Sequence, residues 1–182
     1  MTIEKLREIY KLKCITRYNT KRHLKDESVA EHSFYVALIS LMLCKKYNLD
    51  DKTTMDAVIK ALLHDMPEIE LNDITHDTKE KLNLAPMLKK YEDEYYQKHF
   101  PEYATLMINN QGIATTIVDI ADAMSVLQYS DNEQVLGNTD TIMEDISNEC
   151  QSRIAKNTSK LEIQIKRRDY DRKRSEQKKA KN

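Results

Sequence analysis

Two histidines and two aspartates of this sequence stand in apolar surroundings where their side chains could do chemistry. His32 lies in a stretch of otherwise small and apolar residues, and His64 and Asp65 end another that contains Ala61. Asp122 lies between two alanines in a third such stretch. A buried carboxylate is unfavourable unless a cation or hydrogen bonds compensate it, and a divalent metal accepts neutral imidazoles and carboxylates while keeping positions open for water or substrate. The four side chains could therefore hold a metal ion, although each alone is also explained as a hydrogen-bonded core histidine or a capping aspartate.

The elements that must position these residues are helices. The 182 residues include only two glycines and three prolines, too few for the tight turns of most sheet-rich folds. Gly112 and Gly137 are also too far apart for a glycine-rich phosphate loop. Hydrophobic residues make up 40% and charged residues 32%, enough to form a core and to exclude disorder of the whole chain. We predict a single all-α domain.

Local signals place the histidines on helices. Ser28 and Glu31 have the spacing of a capping box, which predicts a helix from there to about Tyr47 after a polar loop over residues 15–27. A second helix is predicted to end near His64 and Asp65. Pro67 then suits the first turn of a further short helix, where its missing N–H costs nothing.

The C-terminal part of the sequence is also predicted to be helical. Residues 113–129 have the pattern of a core helix that carries Asp122, and Gly112 is predicted to cap the helix before it. A last pair of helices is expected at 139–155 and 158–177.

The charge distribution divides the chain into a domain of residues 1–165 and a basic tail of residues 166–182. The tail carries a net charge of +6 and the rest −7. We expect the tail to be a solvated helix end. Nucleic-acid binding through released counterions is the alternative, which we do not favour because Tyr170 is the only aromatic residue available for base stacking.

Cysteine usage and hydropathy predict a cytoplasmic protein without a membrane segment. Cys14, Cys44 and Cys150 are odd in number and form no C-x-x-C pair, as is typical of reduced thiols. The most apolar run, residues 36–44, has nine residues, whereas a membrane span needs about 20. The N-terminus lacks the apolar core of a signal peptide.

Taken together, the blocks around these residues resemble the HD-domain phosphohydrolases, whose metal ligands follow an H…HD…D order on an all-α core. The resemblance is to the 5'-deoxynucleotidase branch, over roughly residues 10–140. The blocks that carry it are Ile15-Thr16-Arg17-Tyr18, Ser28-Val29-Ala30-Glu31-His32-Ser33, His64-Asp65-Met66-Pro67-Glu68, Asp73-Ile74-Thr75 with Lys79, and Val118-Asp119-Ile120-Ala121-Asp122-Ala123. The resemblance implies a helical bundle with one divalent metal (Mn, Co, Zn, Fe, Ni or Mg) in a central cleft, held by His32, His64, Asp65 and Asp122. It also implies a homodimer or larger oligomer.

Two carboxylates are candidates for catalysis. Glu68 follows Asp65 by three residues and can face the same site across one helical turn, which suits a general acid or base. The alternative is a glutamate favoured by the helix dipole. The resemblance places Asp73 at the site as well, where it would hold the deoxyribose hydroxyl or the attacking water.

Four further residues are candidates for substrate binding. Arg17 offers a planar, bidentate donor to a phosphate, which a lysine would not reproduce. Tyr18 could pack on the sugar or base, and the alternative is a half-buried aromatic residue of the loop. By resemblance, Thr75 would contact substrate beside Asp73. Lys79 could meet additional phosphates, and the alternative is a lysine on the helix surface. Tyr18 departs from the family, which often has tryptophan there.

The resemblance predicts an enzyme that hydrolyses the phosphate esters of deoxynucleotides, a small-molecule substrate. We favour release of phosphate from deoxynucleoside 5'-monophosphates. A deoxynucleoside triphosphohydrolase that prefers dATP is the alternative, because the interval between Asp65 and Asp122 is short, as in compact viral relatives. The cations of residues 21–23, Lys79 and Lys81 also exceed what a monophosphate requires. A catalytically silent nucleotide- or nucleic-acid-binding module is a third hypothesis, which would show neither metal binding nor turnover.

Overall fold

The fold is built from helices, as predicted. The computed structural model describes residues 3–179, without the side chains of His76, Asp77 and Lys179. Within that part of the chain no strand forms, and one isolated antiparallel bridge joins Thr16 to Ser28. The helices are α1 (Ile3–Ile9), a 3-10 helix (Tyr10–Cys14), α2 (Val29–Lys46), α3 (Asp51–Leu63), α4 (Glu68–Leu71), α5 (His76–Lys81), α6 (Ala85–His99), α7 (Pro101–Ile108), α8 (Ile113–Val135) and α9 (Thr141–Lys179). None of the described helices is both long enough and apolar enough to cross a membrane.

Helix α2 begins at the capping box that the sequence predicts. Ser28 Oγ accepts a hydrogen bond from the Glu31 N–H at 3.2 Å, and Glu31 Oε2 accepts one from the Ser28 N–H at 2.9 Å. These bonds satisfy two donors that a helix start leaves without partners. Because the helix starts at Val29, His32 lies in its first turns.

The end of the chain differs from its prediction. One continuous helix, α9, replaces the expected pair at 139–155 and 158–177. The polar residues near 157–159 do not break it, and the Ser159 hydroxyl donates to the carbonyl of Ala155 within the helix, at 3.1 Å. Leu161, just beyond, is fully buried in the core. Residues 166–179 of the predicted tail continue this helix and residues 180–182 lie outside the described part, so the division into domain and tail stays a prediction.

Gly112 also has a role different from the predicted one. It precedes the first residue of α8, with a φ of 99°, whereas α7 ends at Ile108 and is capped by Asn109. Its positive φ is one that glycine adopts without a steric penalty. Helix α8 is longer than predicted and continues to Val135.

Two hydrophobic clusters meet at the middle of the molecule. The first joins α2, α3, α8 and α9 through residues such as Val36, Ala61 and Ala121. The second joins the 3-10 helix, the start of α2, α6 and α7, and it includes Val29 and Met66. His32, and His64 with Asp65, lie where the chain passes from one cluster to the other, whereas Asp122 follows Ala121 of the first cluster on α8.

Candidate active site

The four predicted metal ligands come together in the structure. One ligating atom each from His32, His64 and Asp65 lies within 4.8 Å of the others. His32 Nε2 is 3.1 Å from Asp122 Oδ1 and 3.8 Å from Asp65 Oδ2, and His64 Nε2 is 3.1 Å from Asp65 Oδ2. The start of α2, the end of α3 and the middle of α8 therefore converge on one point.

The two imidazoles have the orientation expected of metal ligands. His32 is fully buried, and its Nδ1 lies 3.2 Å from Ser125 Oγ. Its Nε2 makes no hydrogen bond of good geometry, although carboxylates surround it. His64 Nδ1 must donate to the carbonyl of Ala61, at 2.7 Å, which leaves the Nε2 lone pair for the cluster when the ring is neutral. A buried nitrogen without a partner costs free energy, so the donor set fits a divalent cation.

The electrostatics of the cluster also favour a cation. Burial alone would raise the pKa of Asp65 and Asp122, but the neighbouring imidazoles, His64 and His32 respectively, outweigh it and hold both values below the usual range. Burial opposes protonation of His64, yet Asp65 raises the pKa of that histidine to about 9. Burial, with a contribution from Arg17, lowers the pKa of His32. Both carboxylates are therefore ionised, and the negative charge that raises the pKa of His64 would also attract a metal ion.

Two residues that the sequence did not single out support the ligands. The Tyr96 hydroxyl lies 2.9 Å from the carbonyl oxygen of Leu63 and 2.7 Å from that of His64. Arg153 of α9 donates Nη2 to Asp122 Oδ2 at 3.0 Å. Neither residue gives a local signal, because each acts across more than thirty positions of the chain.

Glu68 has the environment of a proton donor. Its carboxyl faces a cleft of about 800 Å³ that also contains His64, Asp65 and Asp122. Its Oε2 is buried without a hydrogen-bond partner. Burial, followed by repulsion from Asp65 and Asp73, raises the pKa of Glu68 to about 9. The carboxyl is therefore protonated at neutral pH, as a general acid requires.

The candidate substrate residues line the same cleft: Arg17, Tyr18, Asp73, Thr75 and Lys79. Lys21 lines it too, whereas Lys81 does not. The Arg17 side chain is 14% exposed, and its Nη1 donates to Glu27 Oε2 at 3.1 Å. The cleft is therefore provided with cations where an anionic substrate would enter.

Asp73 and Tyr18 are tied to each other. The Tyr18 N–H donates to Asp73 Oδ2 at 3.1 Å, and Tyr18 has a φ of 58°, in the left-handed region. Its ring stacks on Tyr129 with centroids 4.5 Å apart, so Tyr129 covers one face. Packing of Tyr18 on a sugar or base stays a prediction. The Thr75 hydroxyl lies 3.0 Å from that of Thr78.

The loop that carries Arg17 and Tyr18 is anchored by a residue that sequence reasoning missed. Glu133 of α8 is 1% exposed. Its carboxylate accepts hydrogen bonds from the N–H groups of Leu24 and Lys25, at 2.7 and 2.8 Å, and from Asn138 Nδ2 at 2.8 Å. The Tyr129 hydroxyl adds a bond to the Lys25 carbonyl.

Comparison with known proteins gives a family and a fold. A family profile described as 5'-deoxynucleotidase YfbR-like matches residues 6–167. No curated protein sequence matches the chain significantly. A conserved hypothetical protein from Pyrococcus furiosus has a similar structure, with a TM-score of 0.73 and 23% identity over 91% of this chain and 99% of that one.

Two further solved structures share the fold. An HD-domain phosphohydrolase from Listeria innocua has a TM-score of 0.72 and 22% identity, over 90% of this chain and 83% of that one. The HD phosphohydrolase DatZ of cyanophage S-2L, bound to dA and one catalytic Zn²⁺ ion, has a TM-score of 0.70 and 18% identity, over 92% of this chain and 97% of that one. At these identities the likeness establishes the fold.

Proposed function

The chain belongs to the YfbR-like 5'-deoxynucleotidase family, and from this premise we propose that it releases inorganic phosphate from deoxynucleoside 5'-monophosphates. Membership of this family supports the more general activity, which is metal-dependent hydrolysis of deoxynucleotide phosphate esters by an HD-domain enzyme. The observation that carries the proposal is the convergence of the side chains of His32, His64, Asp65 and Asp122 beside the cleft that Glu68 lines.

His32, His64, Asp65 and Asp122 would hold the divalent ion. Once bound, such an ion polarises the phosphoryl group and lowers the pKa of bound water. Two imidazoles and two carboxylates accept Mn, Co, Zn, Fe, Ni or Mg, so the availability of each metal in the cell decides which ion is bound. Zn²⁺ has support from the ion in cyanophage DatZ, and it would be tested beside Mn²⁺ and Co²⁺.

Glu68 would give its proton to the 5' oxygen of the leaving nucleoside. The raised pKa keeps the proton on the carboxyl at neutral pH, and the buried Oε2 has no competing partner. Asp73 is the second candidate catalytic residue: one of its oxygens is held by the Tyr18 N–H, and the other would accept from the attacking water or the deoxyribose hydroxyl, beside Thr75.

Arg17 would bind the phosphate through its guanidinium. One of its five N–H donors goes to Glu27, so others are available to phosphoryl oxygens. Tyr18 would pack on the sugar or base, and Lys79 would add a cation at the rim of the cleft. Nothing in these roles requires a nucleic acid, and the proposed substrate is a small molecule.

The alternative substrate is a deoxynucleoside triphosphate, with dATP preferred and triphosphate released. Lys21 and Lys79 both line the cleft and could neutralise a polyphosphate. Asp145 and Glu149 line its α9 side, where they would repel extra phosphates, and for this reason we favour the monophosphate.

The experiment that tests the proposal is product analysis with the purified full chain. Phosphate, pyrophosphate and triphosphate would be quantified after incubation with each dNMP and dNTP in the presence of Mn²⁺, Co²⁺ or Zn²⁺. We expect phosphate from dNMPs, abolished by chelation and in Asp65→Ala. Triphosphate from dATP alone would replace the proposal by its alternative, and no turnover with any metal would favour the silent binding module.

We also propose that two copies of the chain associate and that the protein works in the cytoplasm. Helix α2 exposes an apolar stripe formed by Phe34, Tyr35, Leu38, Leu41 and Met42, and contiguous exposed apolar surface marks an interaction site. Light scattering after size-exclusion chromatography would show a dimer, and the double substitution Leu38→Glu, Leu41→Glu would disrupt it.

The cysteines support the proposed cytoplasmic location. Cys14, Cys44 and Cys150 are free thiols, which suits a reducing compartment.

A further inference from the structure

Among the described side chains of α9, Arg153 is the cation that contacts a candidate metal ligand. Its Nη2 lies 3.0 Å from Asp122 Oδ2, while Oδ1 of the same carboxylate faces His32 Nε2 at 3.1 Å. The Arg153 side chain is 42% exposed and lines the same cleft as Arg17. We infer that Arg153 is a phosphate-binding residue, which holds the phosphoryl group of the substrate from the α9 side of the cleft. The inference rests on the proposed function.

The donors of Arg153 are suited to this role. A guanidinium carries five N–H groups in a rigid plane. Within the described part of the chain, Asp122 is the only hydrogen-bond partner of the Arg153 side chain, and the residue is half-exposed to the cleft. One edge of the plane can stay on Asp122 while another edge meets a phosphoryl oxygen.

The charges around the cluster explain why an anion would be needed there. In the protein alone, the positive charge of Arg153 is balanced by Asp122. A divalent ion would take up the charge of Asp65 and Asp122, and Arg153 would then lie beside a cation with only the more distant charge of Glu149 to balance it. Like charges at such short range repel strongly in a partly buried site. A phosphate dianion placed between the metal and Arg153 removes that repulsion.

The side chains of Arg17 and Arg153 differ in how strongly the protein holds them before substrate binds. Arg17 is 14% exposed and bound to Glu27, so it is held in place before substrate arrives. Arg153 lies on α9, and its side chain is three times as exposed, at 42%. The phosphoryl group would then be held by one guanidinium that Glu27 fixes and by another that is more exposed.

The competing explanation is that Arg153 only neutralises and orients Asp122. That role would act through the metal, because second-shell partners of a ligand change metal affinity. The two roles are separated by measuring metal binding and phosphate binding independently. Arg153→Met removes the charge, Arg153→Lys keeps the charge but loses the fork, and Lys156→Met removes an exposed cation of α9 that does not line the cleft.

The experiment is isothermal titration of the full chain, first with Mn²⁺ and then, at saturating Mn²⁺, with inorganic phosphate. We expect Arg153→Met to bind phosphate about 10- to 100-fold more weakly, as for a lost bond to a charged group. Arg153→Lys should recover part of the loss, and Lys156→Met should stay within about twofold of the unmodified protein. Circular dichroism would confirm that helical content is kept.

Three results would overturn the inference. One is unchanged phosphate binding in Arg153→Met. Another is a loss that disappears once higher Mn²⁺ restores metal occupancy, which would leave Arg153 as a positioning residue for Asp122. The third is a failure of the Mn²⁺-saturated unmodified protein to bind phosphate. If the protein binds phosphate through Arg153 but hydrolyses no deoxynucleotide, the proposed function fails and this inference stands.

Discussion

Replacing Glu133 by glutamine should loosen the loop that presents Arg17. Oε2 of the buried carboxylate accepts from the Leu24 N–H and Asn138 Nδ2, and Oε1 accepts from the Lys25 N–H. The amide of Glu133→Gln keeps a single acceptor oxygen, which can serve the first two donors. Its NH₂ then faces the Lys25 N–H, so one bond is lost and a donor meets a donor.

The expected size of the effect follows from that count. A hydrogen bond to a charged group contributes about 1.5–3 kcal/mol, and an unsatisfied donor adds a desolvation cost. Since water can reach part of this loop, we expect Glu133→Gln to lower the free energy of unfolding by roughly 2–4 kcal/mol. For a chain of this length, that corresponds to a fall in Tm of about 5–15 °C.

The effect should depend on pH in a definite direction. Burial opposes ionisation of Glu133, but Asn138 and the two backbone N–H groups outweigh burial and lower the pKa of this carboxyl. A lowered folded-state pKa contributes stability that is present above the unfolded-state pKa and is lost as pH falls through the folded-state pKa. The difference between the unmodified protein and Glu133→Gln should therefore shrink in acid.

Denaturant unfolding at neutral and acidic pH would measure the difference, with Asp131→Asn as control, since Asp131 is an exposed acid of the same helix. The same variant should lower kcat/KM for the substrate while metal affinity stays constant, because no metal ligand lies on the loop. An unfolding free energy equal to that of Asp131→Asn, or a difference independent of pH, would refute the reasoning.

Three other predictions concern the cleft directly. Asp65→Ala and His64→Ala should each abolish metal binding and hydrolysis while helical content stays constant; full metal occupancy in Asp65→Ala would exclude that residue as a ligand. Glu68→Ala should keep the metal but lose at least about 10²-fold in kcat. Activity of the unmodified enzyme should fall as pH rises through the pKa of Glu68, since the proton donor is lost, and an unchanged kcat or pH profile in the variant would argue against this role. Arg17→Ala should cost about 2–4 kcal/mol in kcat/KM, with Arg17→Lys recovering only part; values like those of the unmodified enzyme on both monophosphate and triphosphate would place Arg17 outside the site.

Short-range signals in the sequence were enough to predict the elements that carry the ligands. The capping box at Ser28 and Glu31 predicted the start of α2, because both partners are three residues apart and their bonds are local. The apolar pattern predicted the end of α3 near His64. The order of His32, His64, Asp65 and Asp122 indicated a shared metal site through its resemblance to the family, and the structure brings the four residues together.

Local patterns were misleading where tertiary packing outweighs propensity. The sequence analysis predicted two helices at 139–155 and 158–177, yet α9 is continuous, because Leu161 is buried in the first hydrophobic cluster. Gly112 was assigned to the end of one helix and lies before the start of the next.

The residues that hold the site in shape could be found only from the tertiary structure. Arg153 meets Asp122 across 31 positions, Tyr96 meets His64 across 32, and Glu133 meets Lys25 across 108. A contact between distant residues leaves no periodicity in the sequence, because each partner occupies an ordinary position on its own helix. The sequence alone thus determined the helices and the ligand types, whereas the packing of α8 and α9 against α2 and α3 decided the partner and the charge that each ligand meets.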